Sequence, residues 1–130
     1  MRSLQIDRLD HLVLTVADIE ATCAWYGRVL GMEKVVFGAE GRTALVFGRQ
    51  KINLHQVDRM FTPRAAVPTA GSGDFCLIAA VPLDEVIAHL AGEGVAIELG
   101  PVDKSGATGP IRSVYVRDPD ANLIEISTYV

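Results

Sequence analysis

Three side chains that commonly bind metal ions lie in strand-like parts of the sequence. His11 begins the run HLVLTV, His55 lies in INLHQ and Glu125 lies in LIEIS. The flanks of His55 and Glu125 are apolar, and a desolvated carboxylate needs pairing or coordination. Two imidazoles and a carboxylate suit Fe(II), Mn, Zn or Ni and leave positions open for water or substrate. The residue types therefore predict a divalent-metal site built from His11, His55 and Glu125.

Other polar residues are weaker candidates. Asn53 shares a strand face with His55 because side chains alternate along a strand, so it is a candidate substrate contact. Tyr115 is a second candidate contact, although a packing role explains it equally well. His89 has acidic neighbours at helical spacing, the pattern of a solvated face, and is interpreted as structural.

Hydrophobic periodicity predicts the order β-α-β-β-β twice. In the first half, strands are expected at residues 11–16, 33–37, 43–47 and 52–57, with a helix capped by Asp18 and ended by Gly31. In the second half, strands are expected at 75–80, 96–99, 112–116 and 123–127, with a helix at 83–90 after Pro82. Residues 100–109 are rich in Gly and Ser and are expected to form a loop.

The two halves align as an internal repeat. Setting residues 10–11 against 74–75 aligns Ile19 with Leu83, and setting His55 against Glu125 aligns 48–55 with 118–125, both without a gap. The sequence thus predicts one domain, 1–130, made of modules 7–57 and 74–130 joined by the Pro/Gly-containing linker 58–73. The position in the fifth strand that is equivalent to His11 holds Asp74 or Phe75, depending on the register.

Composition narrows the class of protein. The 130 residues carry a formal charge of −4 and no Lys/Arg cluster, which disfavours nucleic acid as a partner. Cys23 and Cys76 form no C-x-x-C motif, and the longest apolar run, 76–83, is too short to cross a bilayer. We expect a cytoplasmic protein with reduced cysteines, no membrane partner and a small-molecule substrate.

The segments HLVLTVADIEATCAWYGRVLGM, INLH and YVRDPDANLIEI resemble the glyoxalase/bleomycin-resistance/dioxygenase proteins, the vicinal-oxygen-chelate superfamily, over residues 7–130. The segments QKINLHQV, FCLI and GATGPIRSVYVRDPDANLIE look closest to its small glyoxalase-domain subgroup, which includes virulence-associated bacterial proteins. The resemblance implies an α+β fold in which tandem βαβββ modules form an open, curled mixed-sheet barrel with flanking helices.

The resemblance also implies metal ligands from the first, fourth, fifth and eighth strands. These positions hold His11, His55, Asp74 or Phe75, and Glu125. Glyoxalase I enzymes carry Glu where this chain has His55, and extradiol dioxygenases take their second His from the fifth strand. The DPDGN turn of the family reads DPDAN here, with Ala121 where Gly adopts positive φ.

The function implied is that of a metal-dependent, glyoxalase-like lyase or isomerase acting on a small oxygenated metabolite. The metal would chelate two vicinal oxygens, Glu125 or Asp74 would act as base, and glutathione or another thiol would be a possible cosubstrate. The alternatives are an extradiol-type Fe(II) dioxygenase and a metal-free, bleomycin-type binding protein. In a homodimer, His11 and His55 would come from one subunit and Glu125 from the other.

Overall fold

The computed structural model describes residues 3–130 and confirms the repeated order of elements. The first half contains β1 (His11–Val16), α1 (Ile19–Leu30), β2 (Glu33–Phe37), β3 (Arg42–Phe47) and β4 (Gln50–Gln56). The second half contains β5 (Asp74–Ile78), α2 (Leu83–Gly92), β6 (Leu99–Ser105), β7 (Pro110–Arg117) and β8 (Leu123–Tyr129). Within residues 3–130, neither helix has the length and apolar character needed to cross a membrane.

Each half forms a four-stranded mixed sheet, and the two sheets have the same topology. The strand orders are β1-β4-β3-β2 and β5-β8-β7-β6. In each sheet the first and last strands of the half pair in parallel, and the other pairs are antiparallel. The fold is therefore α+β with two open sheets, as expected, rather than a closed barrel.

The ends of α1 follow local sequence signals. The Asp18 carboxylate accepts a hydrogen bond from the Ala21 backbone N–H at 3.1 Å, the usual interaction of an N-cap residue. Gly31 ends the helix with φ 67°, a left-handed conformation that glycine adopts without steric cost. Both predicted ends of α1 are confirmed.

The prediction for the segment around β6 is wrong. Residues 96–99 were expected to form a strand and 100–109 a loop, but the strand runs from Leu99 to Ser105. It forms a hairpin with β7 that Gly106 and Gly109 close, with the Gly106 N–H donating to the Gly109 carbonyl at 2.8 Å. Pairing with β7 provides hydrogen-bond partners for the backbone of this segment. The composition of the segment does not reveal such cross-strand pairing.

One apolar core joins the two halves. Buried side chains of β1, α1 and β4 pack in the same cluster as buried side chains of α2, β7 and β8, among them Val16, Tyr26, Leu54, Leu90, Val114 and Ile124. The helices and this core therefore lie on one side of each sheet, and the other face of each sheet, here called its open face, lies outside this core.

A buried carboxylate links the halves within this core. The Tyr26 hydroxyl of α1 donates to Asp118 Oδ2 at 2.6 Å, and the Asn122 side-chain amide donates to the same oxygen at 2.8 Å. The backbone N–H groups of Asp120 and Asn122 donate to Asp118 Oδ1, each at 2.9 Å. Burial and the neighbouring Asp118 carboxylate raise the pKa of Tyr26 far above its usual value, so the phenol remains a donor.

We expect Tyr26→Phe to lower the free energy of unfolding by about 2 kcal/mol, since a hydrogen bond to a charged acceptor contributes about 1.5–3 kcal/mol. Chemical denaturation measures the difference. Tyr129→Phe is the matched control: the Tyr129 hydroxyl accepts from the Thr108 N–H at 3.3 Å on the surface. Its loss should cost less than about 0.5 kcal/mol. Equal losses in the two variants would contradict the role given to the Tyr26–Asp118 bond.

Candidate functional site

The open face of the first sheet carries the polar residues of β1 and β4. In the parallel pairing of these strands, His11 lies opposite Lys51, Val13 opposite Asn53 and Thr15 opposite His55. Paired residues share a face, and the alternate residues Leu14 and Val16 are buried in the core. His11, Asn53 and His55 therefore all lie on the face that is turned away from the core.

A cavity of about 470 Å³ lies over this face. It is lined by His11, Asn53 and His55 of the sheet, by residues 63–65 and 67–69 of the linker, and by Asp74 and Phe75. The structure therefore brings five of the predicted site residues to one cavity. Glu125 and Tyr115 do not line it.

Two arginines give the cavity a positive charge. Arg42 of β3 and Arg64 of the linker both line it, and the Arg42 guanidinium lies 4.5 Å from the centre of the Phe61 ring. The His55 ring meets the same Phe61 ring edge-on, with centroids 5.6 Å apart. Burial lowers the pKa of His55, and the charges of Arg42 and Arg64 lower it further. The imidazole is therefore neutral at pH 7.

Asn53 presents an unsatisfied acceptor at the cavity floor. Its side chain is buried, and within residues 3–130 its Oδ1 atom has no hydrogen-bond partner. Buried polar atoms are nearly always paired in native proteins, by protein groups, by ordered water or by a ligand. The Asn53 amide is thus a position for a hydrogen-bond donor that enters the cavity.

The open face of the second sheet carries Glu125. Glu125 lies opposite Cys76 in β5 and opposite Tyr115 in β7. The Ser113 hydroxyl donates to Glu125 Oε2 at 2.6 Å and lies 2.6 Å from the Ser127 hydroxyl. Burial and the Glu125 carboxylate raise the pKa of Tyr115. Glu125 is therefore held in a network of hydroxyl groups on its own sheet.

The predicted ligand residues do not form one cluster within a chain. Among residues 3–130, no three His, Cys, Asp or Glu side chains lie close enough to hold one ion. His11 and Glu125 lie on different sheets, and His55 lies four positions beyond Lys51, the partner of His11. At a rise of about 3.3 Å per residue, His11 and His55 are about 13 Å apart along the strands.

The strand registers also correct the alignment of the repeat. Asp74 begins β5 opposite Leu123, just as His11 begins β1 opposite Lys51. Two residues further along the partner strand lie Asn53 in the first sheet and Glu125 in the second. Asn53, and not His55, is therefore equivalent to Glu125, and His55 is equivalent to Ser127.

The turns between the equivalent strands also differ in length. Four residues connect Val46 to its partner Lys51, whereas five residues connect Arg117 to its partner Leu123. A gap-free alignment through these turns cannot keep the strands in register. The faces also distinguish Asp74 from Phe75, because Phe75 packs against the core. Asp74 occupies the position equivalent to His11.

Sequence reasoning did not single out Arg42 or Arg64. Arg42 follows a glycine turn at the start of β3, and Arg64 lies in a segment without helix or strand periodicity. Neither position has a pattern that fixes where its side chain lies. An excess of Pro and Gly in the linker indicated an irregular segment, but only its path across the first sheet shows that it forms a cavity wall.

Comparison with known proteins gives consistent matches over nearly the whole chain. A model of the Glyoxalase/Bleomycin resistance protein/Dioxygenase superfamily matches residues 8–126. Virulence protein STM3117 of Salmonella typhimurium is 54% identical over 125 residues, which are 96% of this chain and 86% of that protein. Its crystal structure has a TM-score of 0.95 at 53% identity and covers 98% of this chain and 100% of its own.

Two further relatives extend the comparison. Glyoxalase domain-containing protein RDO1 of Mycosarcoma maydis is 50% identical over 128 residues, which are 98% of this chain and 72% of that protein. The crystal structure of lactoylglutathione lyase from Agrobacterium tumefaciens has a TM-score of 0.71 at 24% identity and covers 95% of both chains. This last likeness is one of fold.

We expect His55 to titrate below the pH range of a free imidazole, and Arg64→Gln to raise its pKa, because one of the charges that oppose protonation is removed. NMR titration of the imidazole signals measures both. Since the folded protein binds fewer protons at His55 than the unfolded chain does, acidification through this range also lowers the free energy of unfolding. Arg59→Gln, a change in the same linker but outside the cavity lining, is the control. An equal shift of the His55 pKa in both arginine variants would contradict this account.

Proposed function

Because the chain belongs to the Glyoxalase/Bleomycin resistance protein/Dioxygenase superfamily, we propose that it is a divalent-metal-dependent, glyoxalase-like enzyme of the lyase or isomerase type. Its substrate is a small oxygenated metabolite that offers two adjacent oxygens to the ion. The relative named lactoylglutathione lyase shares the fold and supports this type of reaction.

One observation carries the proposal. The registers of the two sheets define four equivalent positions on the open faces, occupied by His11 and Asn53 in one sheet and by Asp74 and Glu125 in the other. Three of these four residues are common ligands of divalent ions, and the fourth is a neutral amide. A donor set of this composition fits Zn, Ni, Mn or Fe(II).

The surroundings of His11 and Glu125 suit ligands. His11 Nδ1 lies 2.8 Å from Asp10 Oδ2, which leaves Nε2 for an ion, and a carboxylate behind the imidazole is typical of metal-binding histidines. One oxygen of Glu125 accepts from Ser113, which orients the carboxylate. His55 was predicted as a ligand, but its distance from His11 along the strands favours a place in the substrate cavity instead.

The proposed site requires two copies of the chain. Since no three suitable side chains meet within residues 3–130 of one chain, we propose a homodimer in which the open face of a first sheet meets the open face of a second sheet. His11 of one chain and Glu125 of the partner subunit would then hold the same ion, and Asp74 of the chain that supplies His11, which lines the same cavity, would act as base.

The chain's own residues have distinct tasks in this scheme. The bound ion would act as a Lewis acid toward the substrate oxygens. Asp74, at the cavity edge, is the proposed base for a substrate proton, and Asn53 orients the substrate through its amide. Tyr115 lies beside Glu125 and borders the space that the second sheet contributes.

Metal analysis tests the ligand assignment. We expect the wild-type protein, loaded with Zn, Ni, Mn or Fe(II) and then desalted, to retain a stoichiometric ion. His11→Ala and Glu125→Ala should each lose the ion, because each removes a donor that the other ligands cannot replace. His55→Ala should retain it. His89→Ala is the control, since His89 Nε2 bonds the Val29 carbonyl at 2.9 Å, away from the open faces.

A wild-type protein that takes up no ion would contradict the proposed function. Loss of the ion in His55→Ala but not in Glu125→Ala would overturn the ligand assignment. The type of reaction is tested by thiol-dependent loss of a ketoaldehyde, which we expect, against oxygen uptake with catechols, which would assign a dioxygenase instead.

A further inference from the structure

We propose that the cavity over the first sheet recognises a small 2-hydroxy carboxylate, with the carboxylate at Arg42 and Arg64 and the hydroxyl donating to Asn53 Oδ1. This inference rests on the proposed function and deepens it, since it names a class of ligand, one with an anionic group and a hydroxyl, that the same site binds. It is carried by three features of the cavity: its charge, its unpaired acceptor and its size.

The charge of the cavity opposes that of the whole protein. The chain has a formal charge of −4, yet of the charged residues that one chain contributes to the cavity, two are arginines, Arg42 and Arg64, and one is a carboxylate, Asp74. A charge excess of this kind in an acidic protein favours an anionic ligand, because guanidinium groups bind carboxylates through paired, charge-assisted hydrogen bonds.

Both arginines keep donors available for such a ligand. Arg42 donates from Nη2 to Glu40 Oε1 at 3.2 Å, which leaves its remaining N–H groups free, and its guanidinium is packed on the Phe61 ring. Within the described part of the chain, Arg64 takes part in no ion pair. The cavity thus offers the Arg42 guanidinium, which Glu40 and Phe61 hold in place, and the Arg64 guanidinium, which has no ion-pair partner within the described residues.

The buried acceptor selects for a donor on the same ligand. Asn53 is 9% exposed, and its Oδ1 atom has no partner within residues 3–130. A carboxylate cannot donate to this oxygen, but an alcohol can. Thr15, beside His55 on the same face, is 9% exposed and adds a hydroxyl at the cavity floor. A ligand that satisfies both the arginines and Asn53 therefore carries an anionic group and a hydroxyl.

The cavity has room for a small molecule. Its volume of about 470 Å³ is near the lower end of the range for small-molecule sites, about 300–1,000 Å³. Pro63 and Pro68 of the linker supply apolar wall, which suits a short carbon skeleton. A hydroxy acid of a few carbons meets all three conditions.

The test uses metal-free protein and two probes that share the same hydroxyl-bearing carbon and differ in whether the neighbouring group is an anionic carboxylate. Lactate is a 2-hydroxy carboxylate, and propane-1,2-diol replaces its carboxylate by a neutral hydroxymethyl group. In NMR titrations we expect lactate to shift the Asn53 side-chain amide and the His55 imidazole signals, and the diol to bind at least about tenfold more weakly, as the loss of charge-assisted hydrogen bonds predicts.

Variants locate the interaction. Arg42→Gln and Arg64→Gln should each weaken lactate binding about tenfold and leave diol binding unchanged. Arg59→Gln should leave both unchanged. Asn53→Leu, close in size, should weaken lactate and the diol alike, because both donate a hydroxyl. Thermal unfolding of each variant checks that it folds. If Asn53→Leu does not fold, the two arginine variants alone test the proposal.

The outcomes separate this inference from the proposed function. Equal affinity for lactate and the diol, or an equal loss in Arg59→Gln and Arg64→Gln, would overturn the hydroxy-carboxylate site. Lactate binding that requires added metal and is unchanged in Arg42→Gln and Arg64→Gln would overturn it too. Discrimination between the probes by metal-free protein supports it, whether or not the same protein takes up an ion in the metal analysis.

Discussion

The buried carboxylate of Asp118 is the constraint on which the arrangement of the open faces depends. A charge in the core is tolerated only when it is well paired, and four donors from α1 and the β7–β8 turn surround this one. Asn122, one of these donors, accepts through Oδ1 from the Gly73 N–H at 2.7 Å. Gly73 precedes β5, so the network fixes where β5 begins against β8. That register places Asp74 opposite Leu123 and Cys76 opposite Glu125.

The turn that holds this network is under local strain. Ala121 has φ 65°, a conformation that costs a non-glycine residue about 1–2 kcal/mol. The Arg117 guanidinium donates to the Ala121 carbonyl at 3.1 Å and also binds Glu98. The Ala121 N–H donates to the Asp118 carbonyl at 2.9 Å. These bonds hold a conformation that the family's glycine would adopt freely, and they keep the five-residue connection between β7 and β8.

The sequence predicts the elements well and their relative positions less well. The order of elements along the chain follows from hydrophobic periodicity, and the caps of α1 follow from Asp18 and Gly31, which act locally. The two-residue offset between His55 and Glu125 does not, because it depends on how the strands pair, which a gap-free alignment of the sequence does not contain. The extent of β6 and the placement of Arg42 and Arg64 in one cavity depend on tertiary packing, which leaves no periodic signal. The site residues His11, Asn53 and Asp74 were therefore predictable as candidates, but their positions relative to one another along the paired strands were not.

The chemical difference between the two open faces gives the proposed pairing of unlike sheets its physical basis. The first sheet offers an imidazole and an amide at the equivalent positions, and the second offers two carboxylates. Two first sheets together would lack Glu125, and two second sheets would place four carboxylates together, which repel one another unless a cation lies between them. One sheet of each kind combines His11 with Glu125, a mixture of imidazole and carboxylate that binds a divalent ion and leaves room for substrate. The positive cavity of the first sheet lies on the same face as His11, so the pairing also brings the arginines to the substrate side of the proposed ion.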